Sequence, residues 1–144
     1  MIDDMGKLAL QQLSDYRNNN PGTCFDDLNF IIDANSAYEL QDKVTDLRIG
    51  EGEDLIGYKV GCTGSGTIRQ FGMKGPIRGA LFAHEMLENE TELDFNSFTN
   101  LAIEGEMAVK IGNNGKIVAA FPIIELHNFV FRAPIKTVKS RFKV

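Results

Sequence analysis

The first third of the chain has the hydrophobic spacing of helices. Across residues 2–17, apolar side chains recur at every third or fourth position, which places them along one face of a helix. Residues 36–49 show the same spacing, and Ser36 followed by Glu39 has the arrangement of a capping box at a helix N-terminus. Turn-forming residues at 18–22 separate the two segments. The pattern therefore predicts two helices joined by a loop.

The rest of the chain has the patterns of β-strands. Residues 55–61 form a short apolar run bracketed by glycine, and residues 101–111 alternate between apolar and polar positions. The Asn-Asn-Gly sequence at 113–115 is a hairpin signal, and it is followed by a β-rich run at 117–124. Because the helices come first and the strands follow, the order predicts an α+β fold in place of alternating β-α-β units.

Composition and charge restrict the class of protein. The chain has 144 residues, 43% of them hydrophobic, which is enough for one globular domain with a core. The net charge of −5 argues against a nucleic-acid partner. Residues 132–144 carry five bases and no acid. We interpret this segment as a solvated tail attracted to the acidic body, because one short basic run is a weak signal for a nucleic-acid arm.

Targeting signals and cysteines point to a cytoplasmic protein. No apolar stretch is long enough to span a membrane, so we expect no membrane partner. The acidic N-terminus lacks the basic and then apolar layout of a secretory signal. The two cysteines, Cys24 and Cys62, do not make a disulfide framework. A reducing, cytoplasmic setting follows as the expectation.

Three glutamates form the most chemically suggestive pattern. On a strand, Glu104 and Glu106 project from the same face, about 7 Å apart, where their charges repel unless a cation lies between them. Glu125 follows an apolar run, and the predicted hairpin folds its strand back toward the other two. Magnesium and manganese favour such oxygen ligands. The alternative is a solvated strand face, since E-x-E is common on strands.

The ordered motifs of the chain resemble those of the 2-keto-4-pentenoate hydratase family, within the fumarylacetoacetase superfamily. The resemblance extends over residues 34–130. The motifs that carry it are Tyr38-Glu39-Leu40-Gln41, Arg48, Gly57-Tyr58-Lys59-Val60-Gly61-Cys62-Thr63, Gln70, Pro76, Gly79, Leu81, Ile103-Glu104-Gly105-Glu106-Met107-Ala108 and Ile124-Glu125.

The resemblance implies a metal-dependent lyase. It implies that Glu104, Glu106 and Glu125 bind Mg²⁺ or Mn²⁺, which holds a small 2-oxo acid and stabilises its enolate. Hydratases of this kind add water to a 2-hydroxydienoate, and related members decarboxylate by the same enolate chemistry. The resemblance also implies a catalytic lysine at Lys59, where the alternative is a lysine whose head reaches water.

Arg78 and the two histidines are further candidate site residues. Arg78 stands where many family members have an acidic residue. It can bind a substrate carboxylate, and the alternative is a surface arginine. His127 lies two positions after Glu125, so on a strand it faces the same way and can support the metal ligands. We expect both His84 and His127 to be structural histidines.

The resemblance also implies a chain truncated at its C-terminus. We expect an N-terminal helical segment at 1–53, a partial β-rich hydratase-like catalytic region at 54–131 and a basic tail at 132–144, all in a single domain. An incomplete sheet exposes an edge and apolar surface, so we expect a homo-oligomer or association with a full-length relative. The alternative to a lyase is a non-catalytic truncated paralogue, or an assembly partner of a full-length hydratase or decarboxylase.

Overall fold

The structure, a computed structural model, describes residues 4–20 and 32–130. Ile2, Cys24 and the basic segment 132–144 lie outside the described residues. The elements are helices α1 (Asp4–Arg17), α2 (Ala34–Gly50) and α3 (Ser65–Phe71), and strands β1 (Leu55–Gly61), β2 (Ile77–Phe82), β3 (Leu101–Ile111) and β4 (Ile117–Asn128). Two long helices followed by strands confirm the predicted α+β class.

The two long helices begin the fold and pack against each other. Ala9 and Leu13 of α1 and Leu40 of α2 are buried, as the predicted apolar stripes require. The predicted capping box at Ser36 is wrong. Asp33 is the N-cap residue, and its Oδ1 accepts a hydrogen bond from the Ser36 amide at 2.8 Å, which also lowers the pKa of Asp33. The helix therefore begins at residue 34.

The strands form two separate antiparallel hairpins, β1–β2 and β3–β4. The bounds of β1 and β3 match the prediction. β2 was not predicted, because Gly75, Pro76 and Gly79 are turn-forming residues at its beginning. Gly79 pairs directly with Lys59. Pairing with a neighbouring strand outweighs local preference here, as is common for β-structure.

The β3–β4 hairpin is joined to the helices at one end and exposed over most of its length. At the joined end, the Asn19 side chain donates to the Ser97 carbonyl at 2.9 Å and accepts from Asn128 Nδ2 at 3.1 Å. Val130, just beyond β4, is fully buried. These contacts fix the position of the C-terminal end of β4, next to residue 127.

A charged cluster holds the helices against the first hairpin. Arg48 of α2 donates to Glu53 at 2.7 Å and to Glu85 at 2.8 Å, and its guanidinium lies 3.6 Å from the ring centroid of buried Phe82. Burial alone lowers the pKa of Arg48, but the hydrogen bonds to the two glutamates outweigh it and raise that pKa. We call Arg48, Glu53, Glu85 and Phe82 the arginine cluster.

Candidate metal centre

The pairing of β3 with β4 brings two distant glutamates together. Glu104 lies directly opposite Glu125, and His127 lies two positions further along the same face of β4. One ligand atom from each of these three side chains lies within 4.8 Å of the other two. The predicted convergence of Glu104 with Glu125 is therefore present in the fold.

Lys59 reaches this group from the other hairpin. Its neighbours on the same face of β1 are Gly57 and Gly61, and its partner on β2 is Gly79, so no side chain from these positions crowds it. The Lys59 ammonium forms an ion pair with Glu125, and its Nζ lies 3.4 Å from His127 Nε2. The glycine-bracketed lysine of the sequence thus becomes a cation beside the carboxylates.

His127 occupies the centre of the group. Its Nε2 lies 3.3 Å from Glu104 Oε2 and 3.4 Å from Glu125 Oε2. Its ring stacks on Phe129, with centroids 5.4 Å apart and planes nearly parallel. We expected a structural histidine at this position, with support of the metal ligands as the alternative, and the spacing from Glu125 predicted that the two residues share a face. We call Glu104, Glu125, His127 and Lys59 the carboxylate cluster.

Glu106 lies on the same face of β3 as Glu104, two residues further from the end of the hairpin that is joined to the helices. It is exposed, and its partner on β4 is Ile123. It does not belong to the group whose ligand atoms lie within 4.8 Å of one another among the described residues. Its assignment as a third metal ligand stays a prediction.

Arg78 lies on the opposite face of the first hairpin from Lys59, because its partner on β1 is Val60. Its guanidinium donates to both oxygens of Asp42 on α2, at 2.9 and 3.2 Å, and this hydrogen bonding raises its pKa. The contacts attach β2 to the helix. They give no support to the prediction that Arg78 binds a substrate carboxylate.

The donor set of the carboxylate cluster suits a divalent cation. Two carboxylates and an imidazole are common ligands of manganese and related metals, and carboxylates also suit magnesium. The Glu104 side chain is 58% exposed, whereas Glu125 and Lys59 are mostly buried. An ion entering from solvent therefore meets Glu104 first, with the more enclosed Glu125 behind it.

Sequence comparison finds distant relatives of this chain among known enzymes. No protein-family model matches the chain. The chain is 35% identical over 77 residues to a 2-keto-4-pentenoate hydratase of Paraburkholderia phymatum, and 34% identical over 77 residues to one of Burkholderia vietnamiensis. The chain is a distant homologue of these hydratases. The matched segment covers 54% of this chain and 29% of each hydratase, so the chain spans less than a third of their length.

Structural comparison finds a similar fold in part of a decarboxylase. The 4-oxalocrotonate decarboxylase of Pseudomonas putida G7 superimposes on this chain with a TM-score of 0.66 in a structure complexed with magnesium and adipate. The value is 0.65 in a structure complexed with calcium and acetate. Identities are 18% and 20%, and the matches cover 93% and 94% of this chain but 57% and 59% of the decarboxylase. The two proteins share a partial fold.

The helices also bear on membrane association. In residues 4–20 and 32–130, no helix has both the length and the apolar character that crossing a bilayer requires.

Proposed function

We propose that the protein is a metal-dependent, hydratase-like lyase acting on a small 2-hydroxydienoate or 2-oxo acid such as 2-keto-4-pentenoate. The observation that carries the proposal is the meeting of Glu104 and Glu125 with Lys59, which comes from a different hairpin. The distant homology to hydratases supports the proposed reaction class. In this proposal, region 54–131 supplies the chemistry, and region 1–53 supports it through the arginine cluster.

The cation in this proposal is Mg²⁺ or Mn²⁺, held by Glu104 and Glu125, with Glu106 as the third carboxylate. The magnesium in the decarboxylase structure supports the choice of ion. When bound, such an ion supplies a Lewis acid that draws electron density from the keto and carboxylate oxygens of a 2-oxo acid. The exposed Glu104 side leaves the approach open to a small anion.

Lys59 is the proton carrier in the proposed reaction. Hydration of a 2-hydroxydienoate requires a proton on one carbon of the conjugated system and the oxygen of water on another. An ammonium group has three hydrogens to donate, and Glu125 holds the Lys59 Nζ beside the carboxylates. The same positive charge attracts the carboxylate of the substrate. Lys59 therefore both orients the anion and holds a proton at Nζ.

A steady-state assay tests this function. We expect the isolated chain to consume 2-hydroxypenta-2,4-dienoate with Mg²⁺ or Mn²⁺ and to stop when a chelator is added. Lys59→Met should lower kcat by about 100-fold or more, within the range for removal of a general acid or base. Lys110→Met is the matched control, since Lys110 is an exposed lysine on β3. Absence of metal-dependent turnover in the folded wild-type chain contradicts the proposal.

A second candidate function is that of a non-catalytic assembly partner of a full-length hydratase or decarboxylase. It is favoured by the face of β3–β4 opposite the carboxylate cluster, where Ile103, Met107 and Ile124 are 65%, 65% and 73% exposed. Adjacent exposed apolar side chains of this kind mark interaction surfaces. Light scattering distinguishes self-association from a monomer. Co-purification with a full-length relative, combined with no turnover by the chain alone, supports the second function over the first.

A further inference from the structure

We infer that His127 is itself a ligand of the cation, binding through Nε2 between Glu104 and Glu125. The inference rests on the proposed function, because it requires a metal ion at the carboxylate cluster. The inferred ligand set differs from a set of three glutamates because a nitrogen donor joins the oxygen donors. The support comes from the spacing of the atoms, the orientation of the ring and the position of Glu106.

The spacing of the three side chains fits atoms that share one ion. Metal–ligand bonds of about 2.0–2.2 Å place neighbouring ligand atoms about 2.8–3.1 Å apart at octahedral angles and about 3.3–3.6 Å apart at tetrahedral angles. His127 Nε2 lies 3.3 Å from Glu104 Oε2 and 3.4 Å from Glu125 Oε2. A direct charge-assisted hydrogen bond is shorter, about 2.7–2.9 Å. The imidazole therefore lies at ligand spacing from both carboxylates.

The orientation of the ring is set by its surroundings. Phe129 stacks on the imidazole in a parallel arrangement, and the His127 side chain is largely buried. The hydrogen bonds of Asn128 to Thr99 and Asn19 fix the adjacent backbone. A ring held in this way presents Nε2 to the two glutamates at little further entropic cost on binding.

Glu106 is less well placed than His127 for the same ion. Glu106 lies opposite Ile123, one step along the hairpin from the Glu104–Glu125 pair, whereas His127 supplies a ligand atom within the 4.8 Å group. A nitrogen donor changes the preference among metals, because imidazole suits manganese and later transition metals better than magnesium. We therefore expect the wild type to bind Mn²⁺ more tightly than Mg²⁺. The difference in affinity between the two ions should be smaller in His127→Gln.

Pulsed electron paramagnetic resonance of the Mn²⁺-loaded full chain tests the inference without any activity measurement. The chain has two histidines, and the second, His84, contacts Glu53 and Arg48 in a different part of the fold. We expect imidazole nitrogen modulation in the wild type and in the matched control His84→Gln. The modulation should be absent in His127→Gln, with Mn²⁺ affinity lowered by about tenfold or more, since even groups that only support ligands are worth 10–100-fold.

Labelling of the wild type keeps the test independent of whether a variant folds. Replacing ¹⁴N by ¹⁵N in histidine alone should change the modulation of bound Mn²⁺. Bound Mn²⁺ that gives no histidine signal overturns the inference and leaves a carboxylate-held ion, and so the proposed function, intact. A histidine signal that is lost in His84→Gln also overturns the inference. Failure of the folded wild-type chain to bind Mn²⁺ overturns the inference together with the proposed metal site.

Discussion

The arginine cluster and the carboxylate cluster show two ways in which this small fold uses charge. In the arginine cluster, Arg48 is 11% exposed and forms hydrogen bonds of 2.7 and 2.8 Å with two glutamates. In the carboxylate cluster, Glu104 is 58% exposed, and its Oε2 lies 3.3 Å from His127 Nε2. The first group is enclosed, and the charge of Arg48 is paired with two glutamates. The second pairs Glu125 with Lys59 but leaves Glu104 open to solvent.

The difference separates a structural group from a group able to bind a ligand. Arginine presents a rigid fork of donors that matches carboxylates, so the arginine cluster holds α2 on the first hairpin with its charges already paired. Lysine is a flexible point charge, and Lys59 pairs with Glu125 while Glu104 faces solvent. Ion pairs whose charges are balanced within the protein stabilise its structure. An exposed carboxylate beside another carboxylate has unbalanced negative charge, which attracts a cation.

Removing the arginine should have the largest effect on stability. We expect Arg48→Met to lower the free energy of unfolding by about 3 kcal/mol, because it removes the arginine bonded to Glu85 and one of the two arginines bonded to Glu53. Arg78→Met is the matched control. Its pair with Asp42 is exposed and screened by solvent, so its loss should have a much smaller effect. Urea denaturation measures both variants, and equal losses would show that the arginine cluster has no special structural role.

Removing the lysine should instead change metal affinity. Lys59 competes with a cation for Glu125, so we expect Lys59→Met to bind Mn²⁺ about tenfold more tightly, equivalent to about 1.4 kcal/mol. Lys110→Met should leave the affinity unchanged. Calorimetric titration gives both values. Weaker binding in Lys59→Met would mean that the lysine helps to organise the site in place of competing for it.

The turn of the second hairpin offers a local test. Gly115 has a φ of +73°, in the left-handed region that costs a residue with a Cβ about 1–2 kcal/mol. Gly115→Ala should therefore lower stability by about 1 kcal/mol. Gly105→Ala, in the middle of β3 with open space around its Cβ position, is the control and should change stability by a few tenths. Denaturant unfolding followed by circular dichroism compares them.

The smallest effect we expect is a dependence on pH within the arginine cluster. Burial alone raises the pKa of Glu53, but hydrogen bonds from Arg48 and Arg17 outweigh it and lower the pKa below its ordinary value of 4.5. Because its pKa is lowered in the folded state, the ionised Glu53 carboxylate stabilises the fold above pH 4.5. This contribution to stability is lost as the pH falls through the folded pKa. The stability difference between wild type and Glu53→Gln should therefore shrink in acid. A difference that stays constant or grows in acid contradicts this assignment.

Sequence patterns predicted the elements of this fold better than the contacts between them. The bounds of β1 and β3 and the order of helices and strands follow from local periodicity. The meeting of Glu104 with Glu125 follows from the hairpin signal at 113–115, since antiparallel pairing fixes which residues face each other. A local pattern was enough to predict this contact, because the turn fixes the register of the two paired strands.

The contacts that depend on packing between elements were beyond local reasoning. β2 is a strand only because β1 pairs with it, and Pro76 and Gly79 suggest a turn when read alone. The ion pair of Lys59 with Glu125 joins two hairpins, and the bonds of Arg78 to Asp42 join a strand to a helix. No periodicity in the sequence encodes such contacts, so the separation of Lys59 from Arg78 on opposite faces required the structure.

Calorimetric titration of the folded chain with Mn²⁺ tests the central claim, that Glu104 and Glu125 together hold a divalent cation. We predict one ion per chain in the wild type, and affinity reduced by about tenfold or more in both Glu104→Gln and Glu125→Gln. Glu92→Gln, an exposed acid outside the cluster, should bind as the wild type does. Identical titrations for all four proteins would contradict the claim.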